Sequence, residues 1–362
     1  MEKHHGFIIH TKSPLNGEPP LTPLREHFIT PPDLFYVRNH GEIPSIDAAT
    51  FRLQIRGMVV KELELTLEML RNDFPKHTVM ATLQCAGNRR DQLIAVAPVP
   101  GEVPWQSGAI GNEVWSGVPL RDVLKAAGVK AGGQYVEFMG ADDVFRHGEN
   151  VGFGGSVPVE KAMSADVILA YEMNGKPLQP THGFPLRMIV PGYIGARSVK
   201  WLSRITLQET PSSNYFQSIA YQLFPSYENA ETVDWKSGLQ LSELSVNCAI
   251  TSPENESVAE GDMLFLKGYA MSGGGRKISR VDVSVNGGTS WITATITEGN
   301  RPWAWTFWEA PLKLNPGHHQ IIARAFDEAC NTQPEDPKYI WNFKGYMNNA
   351  WHRVNVEIKD KR

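Results

Sequence analysis

The chain has 362 residues, 41% of them hydrophobic, 20% charged and 10% aromatic, with a formal net charge of −4. That length exceeds what one hydrophobic core usually serves, so two domains are expected, and the apolar content argues against long disordered stretches. The charge balance excludes a protein that coats nucleic acid or rests on an anionic membrane; an anionic substrate would have to be drawn by local Arg and Lys.

Residues 1–35 are rich in proline (Pro14, Pro19, Pro20, Pro23, Pro31, Pro32) and predict an irregular segment laid over a surface. Phe51 to Ile55 and Thr78 to Leu83 alternate like strands. Residues 119–127 read as a helix: Leu120, Val123, Leu124 and Ala127 share a face, Pro119 suits the first turn and Gly128 ends it. Strand-like Val136 to Phe138 and the apolar runs 167–170 and 186–190 follow, which predicts a mixed α+β domain over 1–240. Residues 209–245 turn polar and aromatic with no clear period and read as a junction. Beyond it the pattern is nearly all strand: Leu264–Tyr269, Val281–Val285, Trp291–Ile296, Trp303–Trp308 and Gln320–Phe326, with Asn286-Gly287-Gly288 as a hairpin signal and no helix. Strands at this spacing predict an all-β immunoglobulin-like sandwich over 241–362.

Three cysteines, Cys85, Cys248 and Cys330, are too few for a disulfide scaffold, and none forms a Cys-x-x-Cys pair. The N-terminus is no secretory signal, and nowhere do about 18 apolar residues run together. The expectation is a soluble cytoplasmic protein with no membrane partner, or a periplasmic one whose signal has been removed.

Several standard sites are absent: there is no Walker A loop, no His-Glu-x-x-His and no Gly-x-Ser-x-Gly. Gly273-Gly274-Gly275 precedes a strand and reads as a turn, and His318-His319 as exposed loop histidines. The informative segment is Thr82-Leu83-Gln84-Cys85-Ala86-Gly87-Asn88-Arg89-Arg90. A cysteine at a strand end beside two guanidinium groups ionises easily, and a thiolate is a soft ligand suited to transition metals. Taken alone, the segment reads first as a buried apolar cysteine followed by surface charge. Two further clusters, Tyr36-Val37-Arg38-Asn39-His40 and His182 through Arg187, again place His and Arg together, and Arg197-Ser198-Val199-Lys200 follows. Cations and hydrogen-bonding groups in separate segments suit a phosphorylated cofactor, or else structural ion pairs.

The segment Leu83 to Arg90 resembles the molybdenum-ligand motif of the sulfite oxidase family, which includes the assimilatory nitrate reductases of eukaryotes. Similar stretches are Phe35 to Gly41, Leu169 to Gly175, His182 to Trp201, Lys267 to Arg276 and Asn348 to Val354, in order over nearly the whole chain. The resemblance implies a sulfite-oxidase-type molybdopterin domain followed by an immunoglobulin-like dimerisation domain, hence a homodimer with Mo-molybdopterin. It implies Cys85 as the metal's protein ligand. Tyr36, Val37, Arg38, Asn39, His40, Asp142, His182, Arg187, Ser198, Val199 and Lys200 would hold the pterin and its phosphate. Arg38, Arg90, Trp105 and Tyr221 would line the substrate pocket. Lys344 departs from the family, which carries Arg there in sulfite oxidases and an apolar residue in nitrate reductases; Lys keeps the charge and loses the planar fork. The implied chemistry is oxidation of sulfite to sulfate by oxygen-atom transfer, with nitrate or sulfoxide reduction, or a non-catalytic dimerising module, as alternatives. No haem, flavin or nicotinamide module is legible, so electrons are expected to pass to oxygen or to a separate carrier protein.

Overall fold

The computed structural model describes residues 3–361. Its first half is built on two sheets. One has the order Gly154–Pro158, Tyr135–Gly140, Leu202–Gln208, Leu53–Gly57, Leu63–Leu65, and only the pairing of Leu202–Gln208 with Leu53–Gly57 is parallel. The other has the order Lys176–Pro177, Ile168–Met173, Ile110–Pro119, His77–Gln84, with Arg187–Ile189 also pairing to Ile168–Met173. The helix Leu120–Ala127 continues directly from Ile110–Pro119. Its Leu120, Val123, Leu124 and Ala127 are buried in the core that the first sheet shares with Leu169, Leu186 and Met188. Burying each large side chain of that stripe contributes roughly 1.5–3 kcal/mol. Gly128 ends the helix at φ +71°, where it passes close to the Val60 side chain.

The second half is a sandwich. A sheet ordered Asn247–Ser252, Met263–Met271, Thr306–Lys313, Thr295–Glu298 faces one ordered Ser257–Glu260, His352–Lys359, Gly317–Asp327, Ile278–Ser284, Ile292–Thr293. Cys248, Ile250, Leu266, Val281, Val283, Trp308, Ile321 and Val354 fill the space between them. The Asn286-Gly287-Gly288 signal does join an antiparallel pair, Ile278–Ser284 with Ile292–Thr293.

Five expectations need correction. The proline-rich start is not irregular throughout: Ile8–Lys12 pairs with Leu15–Glu18, and Leu21–Arg25 is a short helix. This ribbon is held by polar side chains, which leave no hydrophobic period to read. Asn16 Nδ2 donates to Thr11 Oγ1 (2.8 Å) and Pro14 O (3.0 Å), while the buried Glu18 carboxylate accepts from the Gln106 and Gly108 amides (2.7 and 2.8 Å). The junction contains a wide helical turn, Phe216–Ala220, and a short ribbon of Gln222–Leu223 with Leu239–Gln240. His318 and His319 lie on the strand Gly317–Asp327 rather than in a loop. The sandwich adds a short 3-10 turn, Pro337–Tyr339. The strand expected from Trp303 begins at Thr306; Trp303 has a left-handed backbone (φ 68°) and its indole N–H donates to Asp166 of the first half (3.0 Å).

Candidate molybdopterin site

The site is organised by the strand His77–Gln84, paired in unbroken register with Ile110–Pro119 from His77 opposite Gly117 to Gln84 opposite Ile110. Cys85 follows it, its amide donating to Ala109 O at 2.9 Å, and the chain then turns sharply. Each residue of that turn has a physical reason. A Cβ on Gly87 would meet the Arg90 guanidinium at 2.5–2.7 Å, so only glycine lets Arg90 fold back over the turn. Asn88 pins it: its side chain accepts from the Ala109 amide (3.1 Å) and donates to the Tyr269 hydroxyl (3.1 Å). Arg89, left-handed at φ 65°, points away from Cys85 into the second half, where it donates to Asn247 Oδ1 (2.7 Å), Cys248 O (3.1 Å) and Ala350 O (2.7 Å).

The cations whose charge acts on the thiol are therefore Arg90 and Arg38, not the Arg89–Arg90 pair read from the sequence. Burial pushes the Cys85 thiol up, and Arg90, Arg38 and the Gly87 amide oppose that shift.

Cys85 faces a cleft that is also lined by Tyr36, Arg38, Asn39, His40, Asp142, His182, Arg187, Ser198, Lys200 and Tyr221. All ten, like Cys85 itself, are site residues named from the sequence. Phe35, Ala86, Phe153, Gly195, Ala196 and Trp201 complete the wall. The first segment enters through the bridge of Val37 to Gly17, which turns Arg38 and His40 inward and sends the Val37 side chain into the interior. Val199 likewise packs in the main core while its carbonyl accepts from the Met188 amide. Trp105 is fully buried against His10 (5.0 Å, edge-on) and Tyr36 (6.5 Å) and does not reach the cleft.

Arg187 is fixed by the carbonyls of His182 (3.0 Å) and Ser198 (3.1 Å), and Lys200 holds Asn39 Oδ1 and Thr181 O. Tyr221 hydroxyl and His40 Nε2 are 3.0 Å apart. Burial, then repulsion from Arg187, drives the Lys200 amine well below its ordinary value; burial brings Arg187 down to about 10 and also depresses His40 and His182. Burial raises Tyr221 to about 12 and Asp142 to about 6.

Arg90 lies one layer behind this wall. It donates to Gly345 O (3.0 Å) and Val103 O (2.8 Å) and sits over the Tyr346 ring at 5.0 Å, while that ring stacks on Tyr221 at 5.2 Å. Gly345, at φ +61°, is required because a Cβ would meet Arg90 at 2.7 Å. Lys344 does not stand free: it pairs with Glu102, which also lies 3.6 Å from Arg90.

Three residues here escaped sequence reading. Lys3, whose amine lies 3.4 Å from His182 Nε2, is brought down to about 8 by burial; Glu102 and Tyr346 come from segments without any local pattern. Only long-range packing brings them in.

The cleft suits an anionic, hydrogen-bonding cofactor. Its lining has Arg38, Arg187 and Lys200 against the single carboxylate of Asp142, and buried cations without counter-charge are costly. Asn39 Nδ2 and Asp142 Oδ1, a donor and an acceptor, are buried without hydrogen-bond partners. Among the described residues no three His, Cys, Asp or Glu side chains converge into a metal cage, so a metal at Cys85 would take its other ligands from the cofactor.

The comparisons agree. The oxidoreductase molybdopterin binding domain family matches residues 40–216, and the Mo-co oxidoreductase dimerisation domain family matches 239–359. Sulfite oxidase of Gallus gallus is 42% identical over 361 residues, covering 97% of this chain and 78% of that protein. The chain belongs to the sulfite oxidase family. Another member, sulfite oxidase of Arabidopsis thaliana, is 40% identical over 378 residues, covering 98% of this chain and 95% of that one. The crystal structure of the sulfane dehydrogenase SoxCD from Paracoccus pantotrophus aligns with a TM-score of 0.78 at 29% identity, over 96% of this chain and 88% of that chain. The family's Mo-molybdopterin thus corresponds to a cleft whose cations, orphaned polar atoms and single thiol suit it.

Proposed function

We propose that this chain oxidises sulfite to sulfate, with Cys85 as the protein ligand of a molybdenum–pterin centre. The observation that carries the reading is the placement of the Cys85 thiol in one cleft with Arg38, Arg187, Lys200 and Tyr221. When bound, the molybdenum–pterin group supplies two-electron oxygen-atom transfer. Everything else is done by the chain. Arg187, Lys200, His182 and Ser198 hold the phosphate end, and Asn39 and Asp142 give the pterin the hydrogen bonds they lack among themselves. Arg38 draws the oxyanion towards the Cys85 end, with Arg90 and Lys344 adding field from behind the Tyr221–Tyr346 pair. The Tyr221 hydroxyl, held by His40, donates to a substrate oxygen and keeps its proton at neutral pH. Electrons leave to oxygen or a carrier protein.

The test is element analysis and steady-state assay of protein made in a host that synthesises the cofactor. About one molybdenum per chain and sulfite-dependent turnover are expected, and Cys85→Ser should keep the fold while losing turnover. Protein from such a host without molybdenum would refute the reading.

A further inference from the structure

The Glu102 carboxylate stands where an acid is least expected in an oxyanion enzyme. Its segment is anchored on both sides: Arg90 Nη1 donates to Val103 O (2.8 Å), and the Trp341 indole donates to Ala97 O (3.1 Å). One Glu102 oxygen pairs with the Lys344 amine and the other lies 3.6 Å from Arg90 Nη2. The three side chains are largely shielded, at 14% exposure for Glu102, 19% for Lys344 and 2% for Arg90, so the pairing is only partly screened by water. Arg90 has its other two nitrogens committed to Gly345 O and Val103 O, which leaves the edge facing Glu102 as its open side. Glu102 is also the carboxylate whose field reaches Cys85, Arg38, Tyr221 and Tyr346 together.

We propose that Glu102 is a built-in counter-anion that determines oxyanion specificity: by neutralising Lys344 and competing for Arg90, it keeps the pocket from holding doubly charged oxyanions tightly. This rests on the proposed sulfite-oxidising function and deepens it. Substrate and product are both oxyanions, so a pocket with Arg38 in its wall and Arg90 and Lys344 uncompensated behind it would retain product. A fixed carboxylate lowers affinity for both, and most for the anion of greater charge. A charge-assisted contact of this kind corresponds to roughly tenfold to a hundredfold in affinity.

The test is sulfate binding by calorimetry to the molybdenum-loaded enzyme, alongside sulfite KM, kcat and inhibition by sulfate. Glu102→Gln, which keeps shape and removes charge, should bind sulfate about tenfold to a hundredfold tighter, with a lower sulfite KM and deeper product inhibition. Glu102→Asp should lie near the parent. The double variant Glu102→Gln with Lys344→Gln, which removes both charges, should return sulfate affinity towards the parent; it also serves as the deciding protein if the single variant folds poorly. Sulfate affinity within twofold of the parent in Glu102→Gln, or weaker, would overturn the proposal, as would a double variant that binds as tightly as the single one. Sulfate binding needs no turnover, so absence of sulfite oxidation in the parent would strike the functional reading and leave this result to be decided separately.

Discussion

At the scale of single residues, the site is a set of buried charges whose partners are not their sequence neighbours. Lys344 shows the consequence. Its charge is opposed by Glu102, so removing it leaves that carboxylate against Arg90 alone and turns the local field against an anion. Lys344→Met should therefore lower sulfite kcat/KM by roughly tenfold to a hundredfold, from a loss of about 1.5–3 kcal/mol. Lys344→Arg should stay close to the parent, because guanidinium retains the charge and can fork across the Glu102 carboxylate. Steady-state assays of both variants settle this: unchanged sulfite turnover in the Met variant would mean that the field at this position does not reach substrate.

At the scale of elements, the sandwich depends on a buried carboxylate at one of its crossings. The turn between the strands Met263–Met271 and Ile278–Ser284 passes from one sheet to the other, and Asp327 ties it down. Asp327 accepts from Ser272 Oγ (2.9 Å), Arg276 Nε (2.9 Å), Asn331 Nδ2 (3.0 Å) and the amides of Ala329 (3.0 Å) and Asn331 (2.9 Å). Burial alone would raise its pKa; the hydrogen bonds from Asn331, Ser272 and Arg276 outweigh burial and hold it below the ordinary carboxylate value. A folded pKa lower than the unfolded one means that the unfolded chain binds the proton more readily. The stabilisation is therefore present above the unfolded value, near pH 4, and is lost as pH falls through the folded one. Asp327→Asn should destabilise the protein by roughly 1.5–3 kcal/mol at neutral pH and flatten the acid side of its stability profile. Urea unfolding at pH 7 and through the range below about pH 4 reads both effects; an unchanged acid slope would remove Asp327 from the account.

At the scale of the whole molecule, the cysteine turn is shared between the two halves. Arg89, fully buried and brought down to about 10 by burial, donates to Asn247, Cys248 and Ala350, and Thr82 exchanges hydrogen bonds with Trp303 O and the Trp305 amide, both at 2.8 Å. The halves should therefore unfold together. Arg89→Ala removes the donors to Asn247 Oδ1 and Cys248 O and leaves Ala350 O with Gln333 Nε2 (3.2 Å), and it should cost roughly 2–4 kcal/mol, loosening the Cys85 turn although Arg89 never faces the cleft. Calorimetry should show one transition in the parent and a lowered or split one in the variant; an unshifted single transition would refute the coupling. The match of residues 239–359 to a dimerisation family also predicts a C2 homodimer in solution. Light scattering should give twice the 40.3 kDa chain mass at micromolar concentration, and a monomer would contradict it.

The sequence alone determined what is local. The alternation of Thr78 to Leu83 marked the strand that carries Cys85, and the stripe of Leu120, Val123, Leu124 and Ala127 marked a helix, because period and capping act within a few residues. The resemblance, carried by Leu83 to Arg90, Tyr36 to His40 and His182 to Trp201 and extended to Asp142 and Tyr221, likewise named most of the side chains that line the cleft. Direction and partnership were decided only by tertiary structure. Arg89 and Arg90 are adjacent yet diverge, since a left-handed residue at the turn sends one guanidinium into the second half and the other back over Gly87. Trp105 has the right composition for a pocket but packs behind it, between His10 and Tyr36. Glu102, Lys344 and Tyr346 meet across more than two hundred residues of chain, where no local period exists to announce them. A charge reads as free in a sequence; whether it is paired, and which way it faces, depends on what distant segment is folded against it.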